Sequence, residues 1–147
     1  VLFRSRGHDG RTRKARLPRR FRDMAFDEEA RAFLAAQTPF RPDTLLPLLW
    51  ITFKRATLLA IDTEERLTID WAFAFSMEGR ELHWNHVAIV ELKQPRYHHD
   101  SPAVRALREF GLREDGVSKY CVASAKLAPV RSNIFLPTIR TIERLSV

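Results

Sequence analysis

Apolar and polar positions along this chain alternate with two different periods, and the changes of period mark out its elements. In residues 10–18, Arg11, Arg13, Ala15 and Leu17 fall on one side and Thr12, Lys14 and Arg16 on the other, bounded by Gly10 and Pro18. That period of two predicts a strand. In residues 26–37 the spacing lengthens: Ala30, Phe33, Leu34 and Gln37 share a face, which predicts a helix. Asp27 suits its N-cap, and Glu28 and Glu29 sit in the first turn, where the helix dipole favours acids. Pro39 and Pro42 then end the helix and open a loop.

Residues 48–61 are rich in β-branched and aromatic side chains and run into the acidic stretch Asp62, Thr63, Glu64, Glu65. Residues 66–75 return to alternation, with Arg66, Thr68 and Asp70 on one side and Leu67, Ile69 and Trp71 on the other. Two such runs around a short polar turn predict a β-hairpin. A second pair of strands is expected at residues 81–84 and 87–94, the latter alternating Ala88, Val90 and Leu92 against Ile89, Glu91 and Lys93. Ser101 and Pro102 open a helix over residues 101–112 that ends near Gly111. Residues 117–127 are apolar and ambiguous, and the tail to Val147 is basic and broken by proline. The expected fold class is α+β, built around antiparallel strands.

Charge changes this picture at one end. The net charge is +7, and residues 1–22 hold nine Lys/Arg against the single acid Asp9. The rest carries sixteen bases against seventeen acids, so the basicity is local. It suits a polyanion contact or a solvated basic arm, and both stay open. No run of eighteen apolar residues exists, the start is Arg-rich without an apolar h-region, and a cytoplasmic location is the default expectation. One cysteine, Cys121, excludes an internal disulfide framework and a cysteine-based zinc site. Val1 to Ser5, with no initiator Met, reads like the translated end of a sequencing adapter. On that reading residues 1–5 are a scar left out of the fold, and residues 6–147 form the C-terminal part of a single domain.

The candidate chemistry lies in polar side chains at strand positions. Lys14 and Arg16, Arg55, Arg66 with Thr68 and Asp70, and Glu91 with Lys93 occupy four different strands. One such strand is the ordinary wet face of a sheet. Four together suit a closed antiparallel β-barrel with its apolar side turned out to flanking helices and its charges in the lumen. Clustered cations repel one another unless an anion or counter-charges share the space. Guanidinium forks match phosphate oxygens, and carboxylates there would hold Mg2+ or Mn2+ against phosphate. Such a site transfers phosphoryl groups by positioning and charge neutralisation.

The order of these residues resembles a known family. "RLTID" after a strand carrying Phe53 and Arg55, then "VELK", then "SKYC", is similar to the VTC domain, the polyphosphate polymerase branch of the triphosphate tunnel metalloenzymes. "RTRKAR" fits that family's basic strand, and "APVRSNIFLPTIR" resembles the tail of its bacterial members. The resemblance runs from Gly10 onward and implies an eight-stranded tunnel that binds ATP, polyphosphate or another triphosphate with Mn2+ or Mg2+. In polymerase members the γ-phosphate of ATP passes to a polyphosphate chain. Carried over, Arg55, Arg66 and Lys119 would be catalytic, with Lys14, Arg16, Lys93 and Ser118 as further phosphate contacts. Glu91 would be the metal carboxylate, and Asp70 would orient the neighbouring bases. Family members carry further tunnel strands before this point, so an N-terminally truncated tunnel is expected.

Other residues read more plainly. His98, His99 and Asp100, with His83 and His86, lack the spacing of a metal site. Cys121 reads as a packed thiol, and Trp50, Trp71 and Trp84 as core or barrel-exterior anchors. Arg105, Arg108 and Arg113 read as a solvated helix face. Glu64 and Glu65 read as a turn. No Gly-rich phosphate loop is present. The alternatives are a phosphate-chain sensor or triphosphatase using the same tunnel and, from another class, a nucleic-acid-binding module on the basic segment. Aromatics are not interleaved with those bases as stacking platforms, so nucleic acid is not the expected partner.

Overall fold

A computed structural model of the chain describes residues 2–6, 12–18 and 26–145 of the 147. The chain divides into two units, Val1–Pro47 and Leu48–Val147.

In the first unit, strands β1 (Leu2–Arg6) and β2 (Thr12–Arg16) pair antiparallel, with Arg4 opposite Lys14 and Leu2 opposite Arg16. The expected strand at residues 10–18 is thus present over its middle. Its partner is β1, Leu2–Arg6. Helix α1 (Glu28–Gln37) starts where the capping pattern places it: the Asp27 carboxylate accepts from the Ala30 N–H at 2.8 Å. Ala30 and Leu34 are its buried positions. A 3-10 turn at Pro42–Thr44 follows, and Arg31 lies 3.6 Å from Asp43.

The second unit is a three-stranded antiparallel sheet of order β3 (Trp50–Leu59), β4 (Arg66–Met77), β5 (Arg80–Lys93). Among the described residues this sheet is open, with β3 and β5 as its edges. The α+β class holds, and the sheet does not close on itself. The two strands expected at residues 81–84 and 87–94 are one continuous strand, β5, in which Asn85, His86 and Val87 have no register partners on β4 where the pairing shifts opposite Ala72. Its turn from β4 is a two-residue connection through Glu78 and Gly79, both at positive φ (49° and 78°). That is the turn whose twist matches a hairpin, and Gly79 meets its requirement without strain.

Three helices follow: α2 (Pro102–Glu109), α3 (Lys119–Leu127) and α4 (Leu136–Leu145). Of the ambiguous residues 117–127, Lys119–Leu127 are helical, and Ser118 caps them, its Oγ accepting from the Cys121 N–H at 3.3 Å. The proline-broken tail is helical too, since Pro137 falls in the first turn of α4, where its missing N–H costs nothing. Phe73, Phe75, Met77, Trp84 and Val87 of the sheet pack with Val122, Ala123 and Leu127 of α3 and Ile139 and Ile142 of α4. Arg80 closes the end of α3 by donating to the Leu127 carbonyl at 3.0 Å. Among the described residues, no helix is long and apolar enough to cross a membrane.

Strand β4 departs from simple alternation in one place. Its pairing with β3 slips by a residue between Trp71 and Ala74, where Ala72 adopts φ 53°. A bulge of this kind inverts the side-chain parity beyond it. Arg66, Thr68 and Asp70 are therefore on the same face as Phe73, Phe75 and Met77. The expectation that the charged positions of β4 lie opposite its aromatic positions is corrected here. Leu67, Ile69 and Trp71 face the other way, and Trp71 is exposed while Phe73 is buried.

Candidate functional site

This face of the sheet has an apolar half and a charged half. On β3, Ile51 stands opposite Phe75, and Arg55 opposite Asp70. On β5, Glu91 stands opposite Thr68, and Lys93 opposite Arg66. Helix α3 lies over the apolar half, and its first residue, Lys119, reaches the charged half.

Three of the residues singled out from sequence meet here. Asp70, 2% exposed, accepts from Arg55 through both oxygens, Nε to Oδ1 at 2.5 Å and an Nη to Oδ2 at 2.7 Å. Lys119 Nζ lies 2.8 Å from Oδ2. A carboxylate gripped by a guanidinium fork and an ammonium is strongly held in its ionised form. The Arg55 hydrogen bond and then Lys119 hold the Asp70 carboxyl at about 2, against an ordinary 3.8, with burial opposing them. Arg55 is in turn raised above its ordinary value by the Asp70 hydrogen bond, and the Glu91 charge adds to this.

A folded-state value below the unfolded one means stability that is full above pH 4 and lost as pH falls towards 2. Asp70 is expected to contribute about 2 kcal/mol in this way. Urea unfolding at pH 5 and pH 2.5 should show that acid loss in the wild type and a smaller one in Asp70→Asn.

The other candidates are placed as follows. Glu91 and Lys93 pair with each other at 3.0 Å, and both are half-exposed. Arg66 is exposed on the same face, with Lys93 as its register neighbour rather than Asp70 as its partner. Asp70 thus engages Arg55 and Lys119, the bases opposite and above it. Ser118 is exposed, and its oxygen caps α3. Lys14 and Arg16 are exposed on β2 of the first unit. The face of the second unit therefore gathers Arg55, Arg66, Lys93 and Lys119 against Asp70 and Glu91, an excess of positive charge.

Two features escaped the sequence reading. Phe53 lies beneath both cations, its ring centre 5.1 Å from the Arg55 guanidinium carbon and 5.3 Å from Lys119 Nζ. Its signal was the spacing of two from Arg55, which puts both on one face. Glu65, read as a turn residue, is buried. Its carboxylate accepts from the Gln94 amide, which also donates to Ser101 Oγ at 3.1 Å. The Gln94 and then the Ser101 hydrogen bonds hold Glu65 below the usual range. It ties the β3–β4 turn to the loop that leads into α2.

Among the described residues no three His, Cys, Asp or Glu gather as a metal site. The loop pair His99 and Asp100 lie 2.8 Å apart. Both Asp70 oxygens are engaged by bases, and Glu91 is engaged by Lys93 through one oxygen.

No curated protein and no solved structure matches the chain. A family model does, over residues 8–128, a span that includes the Arg55–Asp70–Lys119 cluster, Arg66, Glu91 and Lys93. That span covers most of both units, and it ties the chain to polyphosphate-related function: the chain belongs to the VTC domain family.

Proposed function

We propose that the charged half of this sheet face binds the phosphates of ATP or polyphosphate and serves the transfer of the γ-phosphate to a polyphosphate chain. The observation that carries this reading is the meeting of Arg55 and Lys119, from a strand and a helix, on one buried carboxylate. Asp70 uses two of the five guanidinium N–H groups and one of the three ammonium N–H groups. The rest remain to bind phosphate oxygens. Lys119 also opens α3, where the helix dipole favours an anion.

In this reading Arg55, Arg66 and Lys119 contact the transferred phosphoryl group and stabilise the charge that spreads over its oxygens. Lys93 and Ser118 bind further phosphates on this face, and Lys14 and Arg16 are phosphate contacts of the first unit taken by itself. Glu91 would hold Mn2+ or Mg2+, which supplies charge neutralisation between protein and phosphate oxygens when bound. A closed antiparallel tunnel is part of the proposal, with β3 and β5 as the edges on which further strands would close.

The test is ADP release and polyphosphate formation from ATP with Mn2+ or Mg2+, on the complete protein. Arg66→Ala and Glu91→Ala are each expected to lower turnover at least about 100-fold. Both side chains are exposed, so the melting temperature should hold. Tripolyphosphate binding without turnover would make the domain a phosphate-chain sensor, and phosphate release without polymer a triphosphatase. Retention on DNA that tripolyphosphate does not compete, with a steep salt dependence, would sink the phosphate reading.

A further inference from the structure

Arg55 and Lys119 present an electrostatic problem that Asp70 does not fully solve. Two cations share one carboxylate, so the cluster keeps a net positive charge next to the aromatic core. Glu91 adds negative charge on the same face but pairs with Lys93, and a carboxylate set directly on the two cations would occupy their N–H donors and repel any anion. The structure offers a different compensation. The Phe53 ring centre lies 5.1 Å from the Arg55 guanidinium carbon and 5.3 Å from Lys119 Nζ, and Phe73 adds a second ring 5.6 Å from Lys119. An aromatic face attracts cations through its quadrupole, accepts no conventional hydrogen bond from them, and carries no net charge.

We infer that Phe53 is a positioning residue that holds Arg55 and Lys119 together while leaving their remaining N–H groups free for an anion. Its own placement is secured from below, since its ring packs 5.8 Å from that of Phe73, which is 1% exposed. Phe53 and Arg55 are two residues apart on β3 and share a face. The strand thus places the ring and the guanidinium side by side, 5.1 Å apart. Lys119 comes from a different element and has two anchors in the sheet, the Asp70 oxygen and the aromatic pair. The ring thus sets the distance between the two cations, and Asp70 sets their direction.

The inference rests on the phosphate-binding reading for its functional side and on geometry alone for its structural side, so the experiment reads both. Tripolyphosphate affinity is measured by calorimetry on the full chain for the wild type, Phe53→Leu and Phe53→Tyr. Leucine keeps an apolar contact with Phe73 and removes the quadrupole; tyrosine keeps the ring. Phe53→Leu should bind about tenfold more weakly and Phe53→Tyr within about twofold of wild type. In parallel, proton NMR follows the ε-methylene of Lys119, which two nearby rings should displace by their ring currents. That displacement should shrink in Phe53→Leu and persist in Phe53→Tyr. If Phe53→Leu does not fold, Phe53→Met carries the same comparison. Equal affinity in the wild type and the leucine variant, or equal loss in both variants, would overturn the inference. A wild type that ignores tripolyphosphate would overturn the phosphate reading, whereas a Lys119 signal that does not respond to Phe53→Leu would overturn the positioning role.

Discussion

Asp70→Ala is expected to destabilise the second unit by about 3 kcal/mol and to lower its melting temperature by about 14 °C. The substitution deletes an acceptor for three N–H donors and leaves two cations facing each other beside Phe73 and Phe53. Removing one partner of a buried ion pair costs about 3–5 kcal/mol. The lower end applies, because the Arg55 side chain is 45% exposed and can turn towards water. Thermal unfolding followed by circular dichroism measures the effect directly. Tripolyphosphate adds a second readout: oxygens of the polyanion can replace those of Asp70, so the ligand should raise the melting temperature of Asp70→Ala more than that of the wild type. An unaltered melting temperature in the variant would mean that Asp70 contributes nothing to the fold.

Phe73→Ala should be at least as costly, by about 3–5 kcal/mol, but for a different reason. Phe73 is 1% exposed, and its ring meets those of Phe53 at 5.8 Å, Phe75 at 6.1 Å and Trp84 at 5.7 Å. Truncation opens a cavity at the centre of this aromatic group and withdraws the surface under Lys119. Urea denaturation gives the magnitude. Phe73→Leu, which fills more of the space, should cost about half as much. A loss below about 1 kcal/mol in Phe73→Ala would show that the core collapses around the gap and that Phe73 is no keystone.

The elements of this fold were legible where local chemistry decides them. Asp27 and Ser101 mark helix starts through their side-chain acceptors, and both accept as expected, from Ala30 at 2.8 Å and Val104 at 3.3 Å. The β3–β4 hairpin was legible from two apolar runs around an acidic turn. Helix α3 was not, because Val122, Ala123 and Leu127 suit a strand or a helix equally. Only Ser118, acting as its cap, resolves the choice. Residues 80–93 looked like two strands because polar Asn85 and His86 interrupt the apolar pattern, yet a strand can bend through such residues without breaking.

The site was legible as a set of residues and not as a set of partners. Arg55, Asp70 and Lys119 were all candidates, but the alternation of β4 paired Asp70 with Arg66 by parity. Cross-strand register gave it Arg55 instead, and helix packing gave it Lys119. Both depend on contacts between distant parts of the chain. Glu65 was misread for the same reason: its partners Gln94 and Ser101 lie well along the sequence.

The extra residue at Ala72 has a consequence for how this strand tolerates change. Replacing Ala72 with glycine should be harmless or slightly stabilising, since φ 53° suits glycine better. Removing it is another matter. One residue fewer would restore unbroken alternation and carry either Thr68 and Asp70, or Phe73, Phe75 and Met77, to the opposite side of the sheet. What position 72 encodes is a count, and a gap there would erase the site while leaving each of its residues in the sequence.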